Sequence, residues 1–239
     1  MNDTRAEKLE WIDGDMPFST LFGDHFYARQ DGRAETAYVF VQQNGLPQRW
    51  LDGRDFVVGE LGFGTGLNLF ETWRQWREHR KDGQKLTFVS FEAFPMAGVA
   101  MRQAISRWPD LMPLCERFLE HWPANAHGVV SCALDDQTCV EIHVGEALAG
   151  VSRWEAKADA WYLDGFAPAK NEAMWSAELM QTVADHTVEG GTFATYTAAG
   201  WVRRNLQTAG FGVEKIPGHG TKRDMSRGRL QSGLDATMR

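Results

Sequence analysis

Four strand-tip carboxylates and one glycine-rich turn are the residues best placed to do chemistry. In Phe56-Val-Val-Gly-Glu60-Leu-Gly62-Phe63-Gly64-Thr65-Gly66-Leu-Asn68 an apolar run leads into three glycines at alternate positions, and an amphipathic stretch starts directly behind them. Side chains are missing where a backbone must turn tightly and let a ligand come close. The spacing lacks the third glycine of the dinucleotide fingerprint, and no Gly-Lys-Ser/Thr of a P-loop follows. Glu60, two residues before the first glycine, suits a cationic ligand better than a pyrophosphate. Glu92 closes the next apolar run, 26 residues after Gly66, where it can accept hydrogen bonds from both hydroxyls of a ribose. Glu146 closes the third run, near where an adenine amino group would lie. Singly, each acid reads as a solvated loop carboxylate. In this order behind a GxGxG turn they point to S-adenosylmethionine, whose amine and sulfonium prefer carboxylates to basic side chains.

The fourth apolar run, Ala158–Leu163, delivers Asp164 to its tip, and Phe166, Pro168 and Lys170 follow. Asp164-Gly165 alone is equally a turn. In line with the other acids it fits an acceptor that aims an amine lone pair at a methyl group, with Phe166 and Pro168 as a water-excluding wall. An ordinary Asp near pKa 3.9 is too acidic to hold a proton efficiently. Asp164 could act as a general base or as an acceptor that orients the amine, and this acidity favours the second role.

Strands are expected at Phe56–Leu61, Leu86–Phe91, Val140–Val144, Ala158–Leu163, Gly191–Tyr196 and, most weakly patterned, Phe211–Ile216. Helices are expected over Gly66–His79, Met96–Arg107, Leu111–Trp122, Met174–His186 and Trp201–Ala209. Apolar runs alternating with amphipathic stretches define an α/β chain, a Rossmann-like doubly wound sheet. Leu67, Phe70, Trp73 and Arg77 share one helix face, with the Arg77 stem able to cover apolar surface. Thr36–Gln42 reads as an extra strand with Asn44-Gly45 as its turn, so residues 1–50 are expected to form a small β extension before the main unit, residues 51–239. Asp135-Asp136-Gln137 is the turn of a hairpin between Val129–Leu134 and Cys139–Val144.

The 239 residues, 43% hydrophobic and 12% aromatic with ten Trp, bury roughly 70–75% of their unfolded surface without needing disulfides or a structural metal. That composition excludes a disordered chain, and no apolar run is long enough for a transmembrane helix. The polar, acidic N-terminus is unlike a signal peptide, and Cys115, Cys132 and Cys139 lack CxxC spacing, so a cytoplasmic protein with reduced thiols is expected. The seven His show no metal-ligand spacing. The net charge of −7 is uneven. From Gly200 onward Arg203, Arg204, Lys215, Lys222, Arg223, Arg227, Arg229 and Arg239 outnumber Glu214, Asp224 and Asp235, so a polyanionic partner remains compatible. A solvated basic surface explains the same charges.

ELGFGTGLN (Glu60–Asn68), FEAFP (Phe91–Pro95), LDGFAPAKN (Leu163–Asn171) with Met174-Trp175, and FATYTAAGWVRRNLQTAGF (Phe193–Phe211) together resemble one family. It is the tRNA 5-methylaminomethyl-2-thiouridine methyltransferase of the MnmD type, which also forms the N-terminal half of bifunctional MnmC. FYARQDGRAETAYVF (Phe26–Phe40) is similar to its N-terminal segment, so the likeness spans about residues 26–225. The resemblance implies a class I methyltransferase fold and methyl transfer to the exocyclic amine of 5-aminomethyl(-2-thio)uridine at the tRNA wobble position. It makes Asp164 the catalytic aspartate. It maps Glu60, Gly62, Phe63, Gly64, Thr65, Gly66, Asn68, Glu92, Glu146 and Asp164 itself onto the cofactor site. Phe166, Pro168, Lys170, Arg203, Arg204, Lys222 and Arg223 are the candidates for contact with the tRNA anticodon region.

Three departures qualify the likeness. No second glycine-rich strand–turn–helix occurs before Arg239, so an FAD-dependent oxidase is expected only as a separate or fused partner. Glu146 stands where the family more usually has Asp. Ser226–Leu230 is more polar than a closing core strand should be. Two rival readings share the features: an aminopropyltransferase of the spermidine-synthase kind, and a catalytically silent module that docks on tRNA or a partner enzyme.

Overall fold

The computed structural model describes residues 9–232. Asp235 and Arg239, counted in the basic C-terminal excess, lie outside the described residues, as does the start of the expected extension. In chain order the elements are β1 (Leu9–Ile12), β2 (Met16–Ser19), β3 (Asp24–His25), α1 (Gly32–Thr36), β4 (Phe56–Leu61), α2 (Leu67–His79), β5 (Leu86–Glu92), α3 (Gly98–Ile105) and α4 (Met112–Leu119). There follow β6 (Gly128–Asp135), β7 (Thr138–Val144), α5 (Ala147–Arg153), β8 (Ala158–Leu163), α6 (Ala177–Asp185), β9 (Thr187–Thr195), α7 (Gly200–Thr208), β10 (Phe211–Pro217) and β11 (Asp224–Leu230). Strands β1–β3 form a small antiparallel sheet, and the other eight form one sheet in the order β10-β11-β9-β8-β4-β5-β7-β6.

β4 pairs in parallel with both β5 and β8, and β7 and β9 extend the parallel set outward. The chain steps from β4 to β5 and β7, then returns to lay β8 on the other side of β4. That reversal opens a crevice beyond the carboxyl ends of β4 and β8, where doubly wound sheets bind ligands. Every residue of β8 is buried, because helices cover both faces. Its side chains alternate accordingly: Trp161 joins the core beneath α5, α6 and α7, and Tyr162 the core beneath α2 and α4. Gly59 of β4 lies under the Trp161 ring so closely that a Cβ there would sit 2.7 Å from Cε3.

Most expected elements form within a residue or three of their expected ends. Arg77 does cover Trp73, its guanidinium 6.0 Å from the ring centroid. Three expectations are corrected. Thr36–Gln42 is not a strand. α1 runs on through a π-helical turn (Ala37–Val41) and a 3-10 turn (Gln42–Asn44), and a further 3-10 turn covers Gln48–Asp52. The first fifty residues are thus β only in their earlier half among the described residues. Asp31 starts the helix, its carboxylate accepting from the Ala34 amide at 3.0 Å, and burial of Val39, Phe40 and Val41 overrides their β propensity. Thr36, Phe40 and Asn44, four residues apart, all meet partners of the main unit. Phe40 stacks on Tyr162 at 5.3 Å, and the Asn44 amide donates to the Trp161 carbonyl at 3.2 Å.

Second, the expected helix Met174–His186 is a 3-10 turn (Glu172–Trp175) followed by α6, divided at Ser176, whose Oγ caps the Leu179 amide. Third, the polar segment Ser226–Leu230 belongs to an interior strand, β11, paired on both sides. Met225 and Ser226 are buried, Arg227 is neutralised by Glu214 at 2.9 Å, and Gly228 leaves room for the Phe193 ring. Among the described residues no helix is long and apolar enough to cross a membrane.

Gly59→Ala is expected to lower stability by about 1–3 kcal/mol, the cost of overpacking a filled core, read as a fall in the urea midpoint. An unchanged midpoint would show that Trp161 moves aside freely.

Candidate active site

The three alternate glycines are required by backbone geometry. Gly62, Gly64 and Gly66 have φ of +87°, +52° and +77°, a region that L side chains rarely enter. A Cβ on Gly62 would also approach the Asp164 carbonyl oxygen to 3.2 Å. The turn therefore carries β4 into α2 while keeping the tips of β4 and β8 in near contact.

Glu92 lies across this turn. Its Oε2 accepts from the Gly64 amide at 2.9 Å and its Oε1 from the Phe94 amide at 2.7 Å. The Phe63 and Ala93 amides also bear on this carboxylate, which has about four acceptor sites, so a vicinal diol would compete with the weaker of these donors. Burial pushes the Glu92 carboxyl above its usual range, against the backbone donors that pull it down.

Asp164 is held by two donors: the Asn68 amide reaches Oδ2 at 2.9 Å, and the Gly165 amide reaches Oδ1 at 2.8 Å. The other Asn68 N–H goes to Glu60 Oε1 at 2.9 Å, and Asn68 Oδ1 accepts from Thr36 Oγ1 at 2.8 Å. Ser90 Oγ donates to Glu60 Oε2 at 2.6 Å. Burial raises Asp164 to about 7 and Glu60 to about 8. The premise that Asp164 keeps an ordinary acidity is thereby overturned: desolvation matches it to proton acceptance near neutrality.

The small N-terminal sheet supplies the opposite wall. Asp24 Oδ2 accepts from the Ala167 amide at 3.1 Å and pairs with Lys170 at 3.3 Å. Phe22 stacks on Phe166 at 4.6 Å, Phe26 meets it edge-on at 5.2 Å, and Phe22 touches Phe94 at 5.7 Å. The cavity measures about 510 Å³, within the range of small-molecule sites.

Sequence reasoning placed part of this lining. Gly62, Phe63, Gly64, Thr65 and Asn68 face the cavity from the turn, with Glu92 and Glu146 from the tips of β5 and β7. Asp164 and Phe166 face it from the loop after β8. Glu60 and Gly66 do not line it: Glu60 is fully buried behind Asn68, so it can act on the cavity only through that amide. Pro168 and Lys170 lie outside the lining, as do Arg203, Arg204 and Arg223, of which Arg204 and Arg223 are exposed. Lys222, grouped with those cations by charge, turns inward instead and pairs with Glu35 at 2.6 Å. Asp24, Glu35 and Tyr196 also line the cavity and were missed. The signal available for Glu35 was the Asp31 cap followed by Thr36, Phe40 and Asn44 at helical spacing.

Residues 109–231, just over half the chain, match the family model described as S-adenosyl-L-methionine-dependent methyltransferase. The chain belongs to that family. The methyltransferase is 41% identical over 95% of its length to a protein from Chromohalobacter salexigens named tRNA 5-methylaminomethyl-2-thiouridine biosynthesis bifunctional protein MnmC. It is 40% identical over 94% of its length to the protein of that name from Caulobacter vibrioides. It spans only 34% and 38% of those two relatives. Its fold is that of MnmC2 from Aquifex aeolicus, with a TM-score of 0.77 at 21% identity, covering 95% of this chain and 72% of that one. The cofactor of the family, S-adenosylmethionine, fits this cavity by chemistry: the backbone is bare at the glycines, and the carboxyls of Glu92, Glu146 and Asp164 face the space.

Glu92→Ala is expected to weaken S-adenosylmethionine binding by about 1.5–3 kcal/mol, the range for hydrogen bonds to a charged group, measured by calorimetric titration. An unchanged Kd would separate Glu92 from the cofactor.

Proposed function

We propose that this methyltransferase acts on the exocyclic amine of 5-aminomethyl(-2-thio)uridine at the tRNA wobble position, giving the 5-methylaminomethyl nucleoside, in the cytoplasm. The observation that carries the reaction type is the half-buried, cavity-facing carboxylate Asp164, fixed by Asn68 and Gly165 beside the glycine turn. The choice of substrate rests on the relatives' name and their 40–41% identity. Those relatives are named bifunctional and are far longer than this chain, which supports an FAD-dependent oxidase as a separate or fused partner.

S-adenosylmethionine, when bound, supplies a methyl group activated by a positively charged sulfur. Glu92 holds its ribose, Glu146 stands at the adenine end, and the backbone of Gly62–Gly66 admits it. The acceptor arrives as an alkylammonium, which cannot attack until a proton leaves its nitrogen. Asp164, raised to about 7 by burial, takes that proton and then keeps the amine aimed by hydrogen bonding. Phe22, Phe26 and Phe166 exclude water from the same end of the cavity. Glu60 acts from behind, holding the Asn68 amide towards Asp164.

Incubation with labelled S-adenosylmethionine and undermodified bulk tRNA tests the reading. A mass gain of 14 on the 5-aminomethyl nucleoside is expected; label in no nucleoside overturns it. Asp164→Ala and Asp164→Asn should each lose about a hundredfold or more in kcat while still binding cofactor. An Asn variant clearly more active than Ala would return Asp164 to a purely orienting role. The acid limb of kcat/KM should fall at or below pH 7, because a bound sulfonium favours the carboxylate form.

The exposed Arg204 and Arg223, with Arg203 beside them, are the proposed tRNA phosphate contacts. The Arg203 Nε is buried without a hydrogen-bond partner. Neutralising two of the three should raise KM for tRNA and flatten its log–log salt dependence by about one unit per lost contact. An unaltered slope would make them solvated surface.

A further inference from the structure

Lys222 is held in two ways inside the cavity. Its Nζ lies 2.6 Å from Glu35 Oε1 and 3.9 Å from the centroid of the Tyr196 ring. Glu35 is buried at the end of α1, and its Oε2 accepts from the Ala28 amide at 3.2 Å. Tyr196, just past β9, donates its hydroxyl to the carbonyl of Gly165 at 2.6 Å. The ring that carries the ammonium is thus tied to the residue following Asp164, and Glu35, Tyr196, Lys222 and Asp164 line one cavity. A half-buried pair fixed at both ends keeps much of its field, because salt and water screen it weakly.

Most other charged groups around the pair are committed, while His25 and Glu146 also line the cavity. Asp24 of β3 is paired with Lys170. Arg33 of α1 is taken by Glu71 and Asp110, and Asp31 caps the helix. On the turn and strand that carry Lys222, Arg223 is exposed and Asp224 pairs with Lys215. Arg29 at the rim pairs with Asp13 at 3.5 Å. Glu92 faces the cavity from the cofactor side, and Glu60 lies behind Asn68.

We propose that Glu35 and Lys222 are positioning residues, an opposed charge pair that adjusts the proton affinity of Asp164 and of an amine brought beside it. Lys222 favours the free amine and the ionised carboxylate, Glu35 favours the protonated forms, and the two are balanced by their contact. The charges act on Asp164 in these senses, Glu35 raising its proton affinity and Lys222 lowering it. The need for such a balance is chemical: a cavity lined with acids attracts an alkylammonium but also makes it harder to deprotonate, and an opposing cation offsets the second effect. The amine part rests on the proposed function; the Asp164 part does not.

The test is a 13C NMR titration of the aspartate carboxyl carbons in the full chain without cofactor, with Asp164 assigned from the spectrum of Asp164→Asn. Lys222→Met should raise the Asp164 midpoint by about half a pH unit or more, Glu35→Gln should lower it, and Lys222→Arg should stay near the wild type. Midpoints unmoved in both Lys222→Met and Glu35→Gln overturn the proposal. Should Glu35→Gln fail to fold by circular dichroism, the contrast between Lys222→Met and Lys222→Arg decides alone. In the methyl-transfer assay the acid limb of kcat/KM should move in the direction seen by NMR, and a uniform loss at every pH would mark a merely structural pair. If the wild type methylates no aminomethyl nucleoside, the proposed function fails, while the NMR result still judges the charge pair.

Discussion

The side chain of Asn68 offers two amide hydrogens and one carbonyl oxygen, and all three are committed. The hydrogens hold Glu60 from β4 and Asp164 from the tip of β8; the oxygen holds Thr36 at the end of α1. One amide on the second residue of α2 thereby joins the two strands at the switch point to the N-terminal helical segment. The glycine turn depends on this junction and serves it. Three left-handed residues let the chain reverse within a few residues, so that α2 starts close enough for Asn68 to reach both carboxyls. A side chain at Gly62 would press on the Asp164 backbone and open the same gap.

Desolvation sets the chemistry of what Asn68 holds. Carboxyls taken out of water resist ionisation unless donors or cations compensate. Here the donors are neutral amides and a hydroxyl, so Glu60 and Asp164 remain well above ordinary carboxylate acidity. A cavity of this kind lowers the cost of bringing in cations, and both the family's cofactor and an amine acceptor are cationic. The same burial gives Asp164 a proton affinity useful near neutrality.

The wall facing the turn is built by a part of the chain outside the main sheet. β3 reaches the loop after β8 through Asp24, and the rings of Phe22 and Phe26 pack on Phe166. Glu35 on α1 meets Lys222 on the β10–β11 connection, 187 residues away. The N-terminal segment and the end of the sheet are therefore tied together across the cavity mouth, which makes both of them part of the site.

The sequence determined the central sheet and the strand-tip end of the cavity. Parallel strands buried on both faces read as continuous apolar runs, and acids at their tips stand out by position, so β4, β5, β7 and β8 with Glu92, Glu146 and Asp164 were legible. The alternate glycines were legible because few other residues adopt that backbone readily. Only the tertiary structure decided the rest. Thr36–Val41 has the composition of a strand, yet the apolar surface it finds against α2 and β8 suits a helix. Glu60 looked like a ligand contact until Asn68 came between it and the cavity. Lys222 belonged by charge to an exposed basic surface, and Glu35 and Tyr196, remote in the chain, drew it inward. Local pattern encodes which face of an element is buried; which distant charge it meets, and how dry the meeting place is, arises only when the elements pack.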